Sequence, residues 1–118
     1  MKYVCLVYGE ESRLAAMSKA EMAKLDADSL AYDRSLENGG RLVVAQALQS
    51  VKKSKTVRMR GGRKLVTDGP FAETKEQLLG FVMIEAADAE EALEIAGRIP
   101  LAEIGAIEVR EIYIVPGS

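Results

Sequence analysis

The segment LVTDGPFAETKEQ, residues 65–77, gathers carboxyl, hydroxyl and ammonium groups directly after an apolar strand pattern. A carboxyl group beside a cation in apolar surroundings has a tuned pKa, so Asp68 could act as a general base on a small molecule or hold a polar ligand. The candidates in this segment are Asp68 as a tentative catalytic residue and Gly69, Pro70, Phe71, Glu73 and Lys75 as ligand-binding residues.

The residue types of the same segment also favour a tight turn. Asp68 can accept hydrogen bonds from downstream amides, Gly69 permits a positive φ, and Pro70 fixes φ. In this interpretation Phe71 anchors the loop to the core, and a short helix begins at Ala72. A turn explains the glycine and the proline fully, but it explains the following Glu-Thr-Lys less well. A pure turn and a ligand site therefore both remain open.

Four further residues, Ser29, Tyr32, Gln46 and Arg58, are candidates for ligand binding. Ser29 and Tyr32 lie on the apolar face of a predicted helix, although Tyr32 could equally be a core ring with its hydroxyl at the edge. Gln46 interrupts an apolar strand and needs a hydrogen-bond partner if it is buried, or else it faces outward. Arg58 and Arg60 share one face of a strand and could clamp an anion, or they are solvated charges on a hairpin edge.

Missing residue types exclude several chemistries. The sequence contains no histidine, which removes histidine acid–base catalysis and histidine metal ligation. The single cysteine, Cys5, lies in an apolar strand and is expected to be a small buried hydrophobe. A metal would need carboxylates alone, and the spacing of Asp28, Asp33 and Asp68 supports no such site. We therefore expect neither a metal nor a cofactor.

Charge and hydropathy describe an ordinary globular chain. The net charge is -2 and the basic residues are not concentrated on one long run, which argues against general nucleic-acid binding. The one basic cluster, residues 52–64, is typical of an exposed hairpin edge, with an anion site as the alternative. No apolar run reaches about 18 residues, so no membrane span is expected. The first residues resemble a strand rather than a signal peptide, and a cytoplasmic location follows.

The elements that would position these residues are clearly marked. Ser18 and Glu21 form a capping box before a helix whose apolar face steps by three and four residues, and Gly39-Gly40 ends it. Asp88 and Glu91 repeat the box before a second helix. The predicted strands are residues 2–8, 41–49, 78–86 and 106–115, with a hairpin around Gly61-Gly62.

The order of these elements predicts one α+β domain over residues 1–118. Without the hairpin, the remainder is a ferredoxin-like βαββαβ arrangement. Strands 2–8, 41–49 and 78–86 are apolar on both faces, and two helices can cover only one face of the sheet. A homodimer packed sheet to sheet would cover the other face, unless the hairpin and the C-terminal tail fold over it. A phase slip in alternation at Glu111 indicates a bulge or a last segment that leaves the sheet.

The run VTDGPFAETKEQLLGF, residues 66–81, resembles the signature of the DGPF-domain family, a branch of the YCII-related proteins. The resemblance extends over nearly the whole chain, in order. It includes MKYVCLVYG, NGGRLV, ALQS, TVR and IPLAEIGAIEVREI. It implies a ferredoxin-like fold that assembles as a dimeric α/β barrel.

The resemblance does not imply a settled activity. Members are generally of unknown function, and some are encoded beside extracytoplasmic-function sigma factors, which hints at a regulatory role. A histidine and aspartate pair in a cleft has suggested enzymatic activity for YCII-related proteins, but this chain has no histidine, and the corresponding place is near Asp28 or Ser29. Two hypotheses follow: a dimeric small-molecule-binding protein with its cleft near the DGPF loop, or a cofactor-independent lyase or isomerase that uses Asp68.

Overall fold

Six β-strands and three α-helices follow one another in a computed structural model that describes residues 1–118. The strands are β1 Lys2–Gly9, β2 Leu42–Ala47, β3 Lys55–Arg60, β4 Arg63–Asp68, β5 Gln77–Glu85 and β6 Ala106–Glu111. The helices are α1 Glu11–Ala15, α2 Lys19–Asn38 and α3 Ala89–Gly97, with single 3₁₀ turns at Val51–Lys53 and Pro100–Glu103.

Four strands form the main sheet in the order β2-β5-β1-β6, and every neighbouring pair is antiparallel. Strands β3 and β4 form a separate two-stranded sheet. The structure is therefore a mixed α+β fold of antiparallel sheets and helices, and its strand order is compatible with the ferredoxin-like arrangement. Gly61 and Gly62 both have positive φ in the tight turn between β3 and β4, which glycine adopts without strain.

Both long helices begin at side-chain caps. Ser18 accepts a hydrogen bond from the amide of Glu21, and Glu21 accepts one from the amide of Ser18, so the predicted capping box of α2 is confirmed. Asp88 caps α3 by accepting from the amide of Glu91. The predicted reciprocal bond is wrong, because the carboxylate of Glu91 accepts from the amide of Ala87, one residue before the cap.

The core lies between the sheet and the helices α2 and α3. Only 12 of 118 residues are buried, so the core is small for a chain of this length. Alternation along β1 places Tyr3, Cys5 and Val7 on the core side, opposite Ile84 and Val82 of β5 and their neighbours. Cys5 is fully buried, and burial raises the pKa of its thiol to about 11, which keeps it protonated and unreactive.

The last strand is shorter than predicted. β6 ends at Glu111, where the alternation slips phase, and the amide of Ile112 makes the last ladder bond to the carbonyl of Lys2. Beyond it, Tyr113 is 76% exposed. The chain therefore leaves the sheet rather than forming a bulge in it. The short helix α1 was not expected, because no side chain caps its first turn and its sequence carries no start signal.

Candidate functional site

A cleft of about 350 Å³ lies between the inner face of α2 and the sheet, and we call it the helix cleft. Its walls come from α1, α2, β2, β5 and the turn Pro100–Glu103. Met22 and Leu25 of α2 are only half-buried, and Leu36 is the one fully buried residue of that helix. The first turns of α2 therefore leave space between the helix and the sheet, and only its last part packs closely on the core.

Three of the predicted ligand-binding residues, Ser29, Tyr32 and Gln46, line the helix cleft. Ser29 is half-buried and its hydroxyl donates no hydrogen bond to the protein, so it is free to meet a ligand. The Tyr32 hydroxyl donates to the carbonyl of Ile95 at 2.7 Å and can offer a ligand only its oxygen. Burial raises the pKa of Tyr32, so the ring stays neutral over the physiological range.

Asp33 and Asp26 also line the helix cleft, and neither was predicted as part of a ligand site. Asp33 directly follows Tyr32 on α2, is half-buried, and has no ion pair or hydrogen bond through its side chain. Burial raises the pKa of the Asp33 carboxyl. The signal for both residues is present in the sequence, since a spacing of seven places them two helical turns apart on one face.

Gln46 borders the helix cleft, but its side chain belongs to the other face of the sheet. It pairs with Phe81 across β5, while its neighbour Ala45 pairs with the buried Val82 on the core side. Gln46 is exposed, as the outward-facing alternative anticipated. Its amide therefore does not need a partner inside the protein.

The DGPF segment forms a second concavity, which we call the loop groove. Gly69, Pro70, Phe71 and Glu73 line this groove of about 630 Å³ together with Tyr8 of β1 and other residues. Gly69 has a φ of +107°, as a left-handed turn position requires, and its carbonyl accepts a hydrogen bond from the Thr56 hydroxyl at 2.9 Å. The predicted site residues thus do not form one site. Ser29, Tyr32 and Gln46 lie at the helix cleft and four residues of the DGPF segment line the loop groove, while Arg58, Asp68 and Lys75 line neither.

Asp68 lies outside both concavities. Its side chain is 87% exposed, and its carboxylate accepts a hydrogen bond from Lys55 at 2.6 Å on the neighbouring strand. It is the last residue of β4 and pairs directly with Lys55 across the hairpin. This is the geometry of a surface ion pair at a strand end, and a catalytic role of Asp68 stays a prediction.

Phe71 does not anchor the loop to the core, as the sequence suggested. Its ring is 81% exposed, and the Arg58 guanidinium lies 5.7 Å from the ring centroid. No helix begins at Ala72, since residues 71–76 form bends and irregular structure. The Phe71 ring is therefore an exposed apolar surface held by a cation–π contact rather than by core packing.

Gln77, and not Phe71, fixes the DGPF loop to the rest of the protein. Its side-chain nitrogen donates to the carbonyls of Thr74 at 2.7 Å and Lys75 at 3.2 Å, and its side-chain oxygen accepts from the amide of Glu11 at 2.9 Å. Lys75 approaches Glu10 at 3.6 Å and is otherwise exposed. We call this set of hydrogen bonds the Gln77 clamp. It explains how a loop of exposed polar residues keeps its shape without burying its aromatic ring.

The described structure also bears on metals and membranes. No group of three or more acidic or cysteine side chains is arranged to hold a metal ion. None of the helices has both the length and the apolar character that a membrane span needs.

The YCII-related domain model matches residues 1–115, and the chain belongs to the YCII-related family, of which the DGPF-domain proteins are part. The chain is 40% identical to "Uncharacterized protein R00369" of Rhizobium meliloti (strain 1021) over 116 residues, which is 97% of this chain and 94% of the relative. The family assignment from the DGPF signature is thus confirmed.

A solved structure of similar fold is the 5-chloro-2-hydroxyhydroquinone dehydrochlorinase (TftG) from Burkholderia phenoliruptrix AC1100, in complex with 2,5-dihydroxybenzoquinone. The TM-score is 0.58, with 15% sequence identity, over 96% of this chain and 94% of the dehydrochlorinase. At this identity the similarity shows a common fold.

Proposed function

We propose that this YCII-related protein binds a small, mainly apolar molecule in the helix cleft. The observation that carries this function is the cleft itself, because about 350 Å³ is within the size of small-molecule sites. Most of its lining is apolar, and a few polar groups, among them Ser29 and Asp33, could fix a ligand's orientation. A role as accessory to a sigma-factor-linked regulatory system, in the cytoplasm, is part of this proposal.

The helix cleft suits a ligand better than the loop groove does. Its apolar walls include Leu25 and Leu101, which are half-buried and would transfer contact area from water to a ligand. In the loop groove the main apolar group is Phe71, whose ring is mostly in water. We therefore assign the primary ligand to the helix cleft and keep Gly69, Pro70 and Glu73 as a secondary contact surface.

Filling the helix cleft tests this function. Benzyl alcohol is a suitable probe, because it is neutral, small and mainly apolar, and its binding can be followed by NMR titration. Ser29→Trp places a large ring in the cleft and should abolish binding, whereas Leu30→Trp, at a neighbouring residue that is 56% exposed, should leave it unchanged. Equal binding by both variants would contradict the assignment.

We also propose that two chains associate through the sheet face opposite the helices, the open face. By alternation this face carries Val4, Leu6, Phe81 and Met83, which pair directly across β1 and β5. These side chains are half-buried in one chain, and no helix covers them. A two-fold dimer would cover this face and form the dimeric α/β barrel that the family resemblance implies.

The size and shape of one chain support association. The chain exposes 8435 Å², whereas a folded monomer of this mass exposes about 6300 Å². Its radius of gyration is 16.3 Å, against about 13 Å for a compact domain of this length. Part of the excess lies in the β3–β4 hairpin, where Val57 and Val66 form a half-exposed apolar pair. The excess exceeds the area of about 800 Å² that each partner buries in a standard interface.

A second candidate function is a cofactor-independent lyase or isomerase. It is favoured by the fold shared with a dehydrochlorinase and by Asp33, because a carboxyl with a raised pKa in an apolar cleft is suited to acid–base work. Asp68 is the other candidate acid–base group, and it would need a substrate held in the loop groove.

Two parallel substitutions separate these carboxyl groups. Proton abstraction can be followed by deuterium incorporation from D₂O into bound small carbonyl compounds and phenols. Loss of exchange in Asp33→Asn but not in Asp68→Asn would assign an enzyme of the helix cleft, and the reverse would assign the DGPF loop. Failure of the wild type to exchange any compound that binds would contradict the enzyme function and leave binding.

A further inference from the structure

The charged side chains that line the helix cleft are all acidic. They are Glu11, Asp26 and Asp33, and no Lys or Arg lines the cleft although the chain contains 16 of them. One oxygen of Glu11 already accepts a hydrogen bond from the amide of Val51 at 2.9 Å. The two aspartates have no protein partner, so a ligand meets carboxylates that the fold has not neutralised.

The two aspartates bracket the cleft along α2. A separation of seven residues corresponds to about 10 Å along a helix, with the Ser29 hydroxyl between them. Asp26 is exposed and lies nearer to solvent, while Asp33 is half-buried. A ligand in the cleft therefore lies near one exposed carboxylate and one half-buried carboxylate.

We infer that the helix cleft selects neutral or cationic molecules and best accommodates an apolar amine in its protonated form. The inference rests on the proposed binding function and names the ligand class of that site. A carboxylate or phosphate ligand would bring a like charge into surroundings of low dielectric, where repulsion is poorly screened. An ammonium group would instead donate charge-assisted hydrogen bonds to Asp33 and to the Ser29 oxygen.

The pH dependence of amine binding follows from the charges around Asp33. Burial raises the pKa of this carboxyl, and a bound ammonium would lower it again. In the pH range where Asp33 titrates, amine binding therefore releases a proton and weakens as the pH falls. The other titratable groups on this side are Asp26, Glu11 and Tyr32, and the charge of Arg98 acts on Tyr32. No cation contributes to the pKa of Asp33 itself.

Three probes of one shape and different charge test the inference at neutral pH: benzylamine, benzyl alcohol and benzoate. We expect benzylamine to bind about tenfold more tightly than benzyl alcohol, and benzoate to bind too weakly to detect. Asp33→Asn should remove most of the preference for benzylamine and change benzyl alcohol by less than about twofold. Asp28→Asn, an exposed aspartate of the same helix that pairs with Lys24, is the matched control and should change neither.

Each other result has a definite meaning. Benzyl alcohol binding in the cleft with no preference between benzylamine and benzoate would overturn the charge selectivity and leave the binding function standing. An unchanged preference in Asp33→Asn would also overturn it. Failure of all three probes to bind would overturn both the selectivity and the proposed function.

Discussion

At the scale of single residues, the helix cleft contains side chains that hydrogen-bond within the protein and side chains that have no partner there. The Tyr32 hydroxyl is used, because it bridges α2 to the carbonyl of Ile95 on α3. Ser29 and Asp33 are free, since no protein group satisfies their side chains. Substitutions at these positions should therefore separate stability from binding.

Tyr32→Phe should cost stability. The change removes a part-buried hydrogen bond of 2.7 Å and leaves the Ile95 carbonyl without that partner, so we expect a loss of about 1 kcal/mol in the free energy of unfolding. Urea denaturation measures it. Tyr113→Phe is the matched control, because that ring is 76% exposed and its hydroxyl makes no hydrogen bond, and it should be neutral. Equal effects of the two changes would contradict the assigned role of Tyr32.

Relative to the wild type, Asp33→Asn should become more stable as the pH rises. In the wild type the folded carboxyl holds its proton more tightly than the unfolded one, so stability falls as the pH rises from the ordinary value of 3.8 through the raised pKa. The neutral amide escapes this loss, and the difference between variant and wild type should grow over that window and then level. Thermal unfolding at several pH values measures it, and a difference that shrinks with rising pH would refute the burial of this charge.

At the scale of elements, the features that could be predicted from the sequence are those set by interactions between residues close together in the chain. The capping box at Ser18 and the glycine pair in the hairpin turn each act within a few residues, and both were found where predicted. Phe71 was misplaced because ring burial depends on what lies opposite, and the Gln77 clamp that replaces it joins segments 66 residues apart. Asp33 was overlooked as a ligand residue because its importance comes from a cavity that no local pattern describes.

Gly105→Ala should destabilise the junction between the last 3₁₀ turn and β6. A Cβ atom at Gly105 would overlap the carbonyl oxygen of Tyr8, and backbone cannot move aside as a flexible side chain can. We expect a loss of roughly 1–3 kcal/mol in thermal or urea unfolding. Gly97→Ala in α3 meets nothing within 4 Å and should be neutral or stabilising. A tolerated Gly105→Ala would show that the two segments are farther apart.

At the scale of the whole molecule, one chain leaves a flat and open surface. The extents of the chain are 47 × 46 × 19 Å, and the side chains of the open face are only half-buried. The order of the elements and the family followed from the sequence, because helix and turn signals mark the elements in order and the family resemblance extends over nearly the whole chain. The dimer proposed for the open face depends on a second surface, which no pattern within one chain specifies.

Phe81→Arg should dissociate the proposed dimer. The ring pairs with Leu6 on the open face, and an arginine there would place an unpaired charge in the apolar interface. Analytical ultracentrifugation should give twice the 12.8 kDa chain mass for the wild type and the single mass for the variant. Leu30→Arg, on the outer face of α2, should remain dimeric. A monomeric wild type would contradict association through this face.

The measurement that tests the central claim most directly is isotope-filtered NMR of benzyl alcohol bound to labelled protein. A ligand in the helix cleft should show intermolecular NOEs to the methyl groups of Leu25, Val82 and Leu101. NOEs to Phe71 and Leu78 in the loop groove instead, or no specific NOEs at saturating benzyl alcohol, would contradict the assignment of the helix cleft as the binding site.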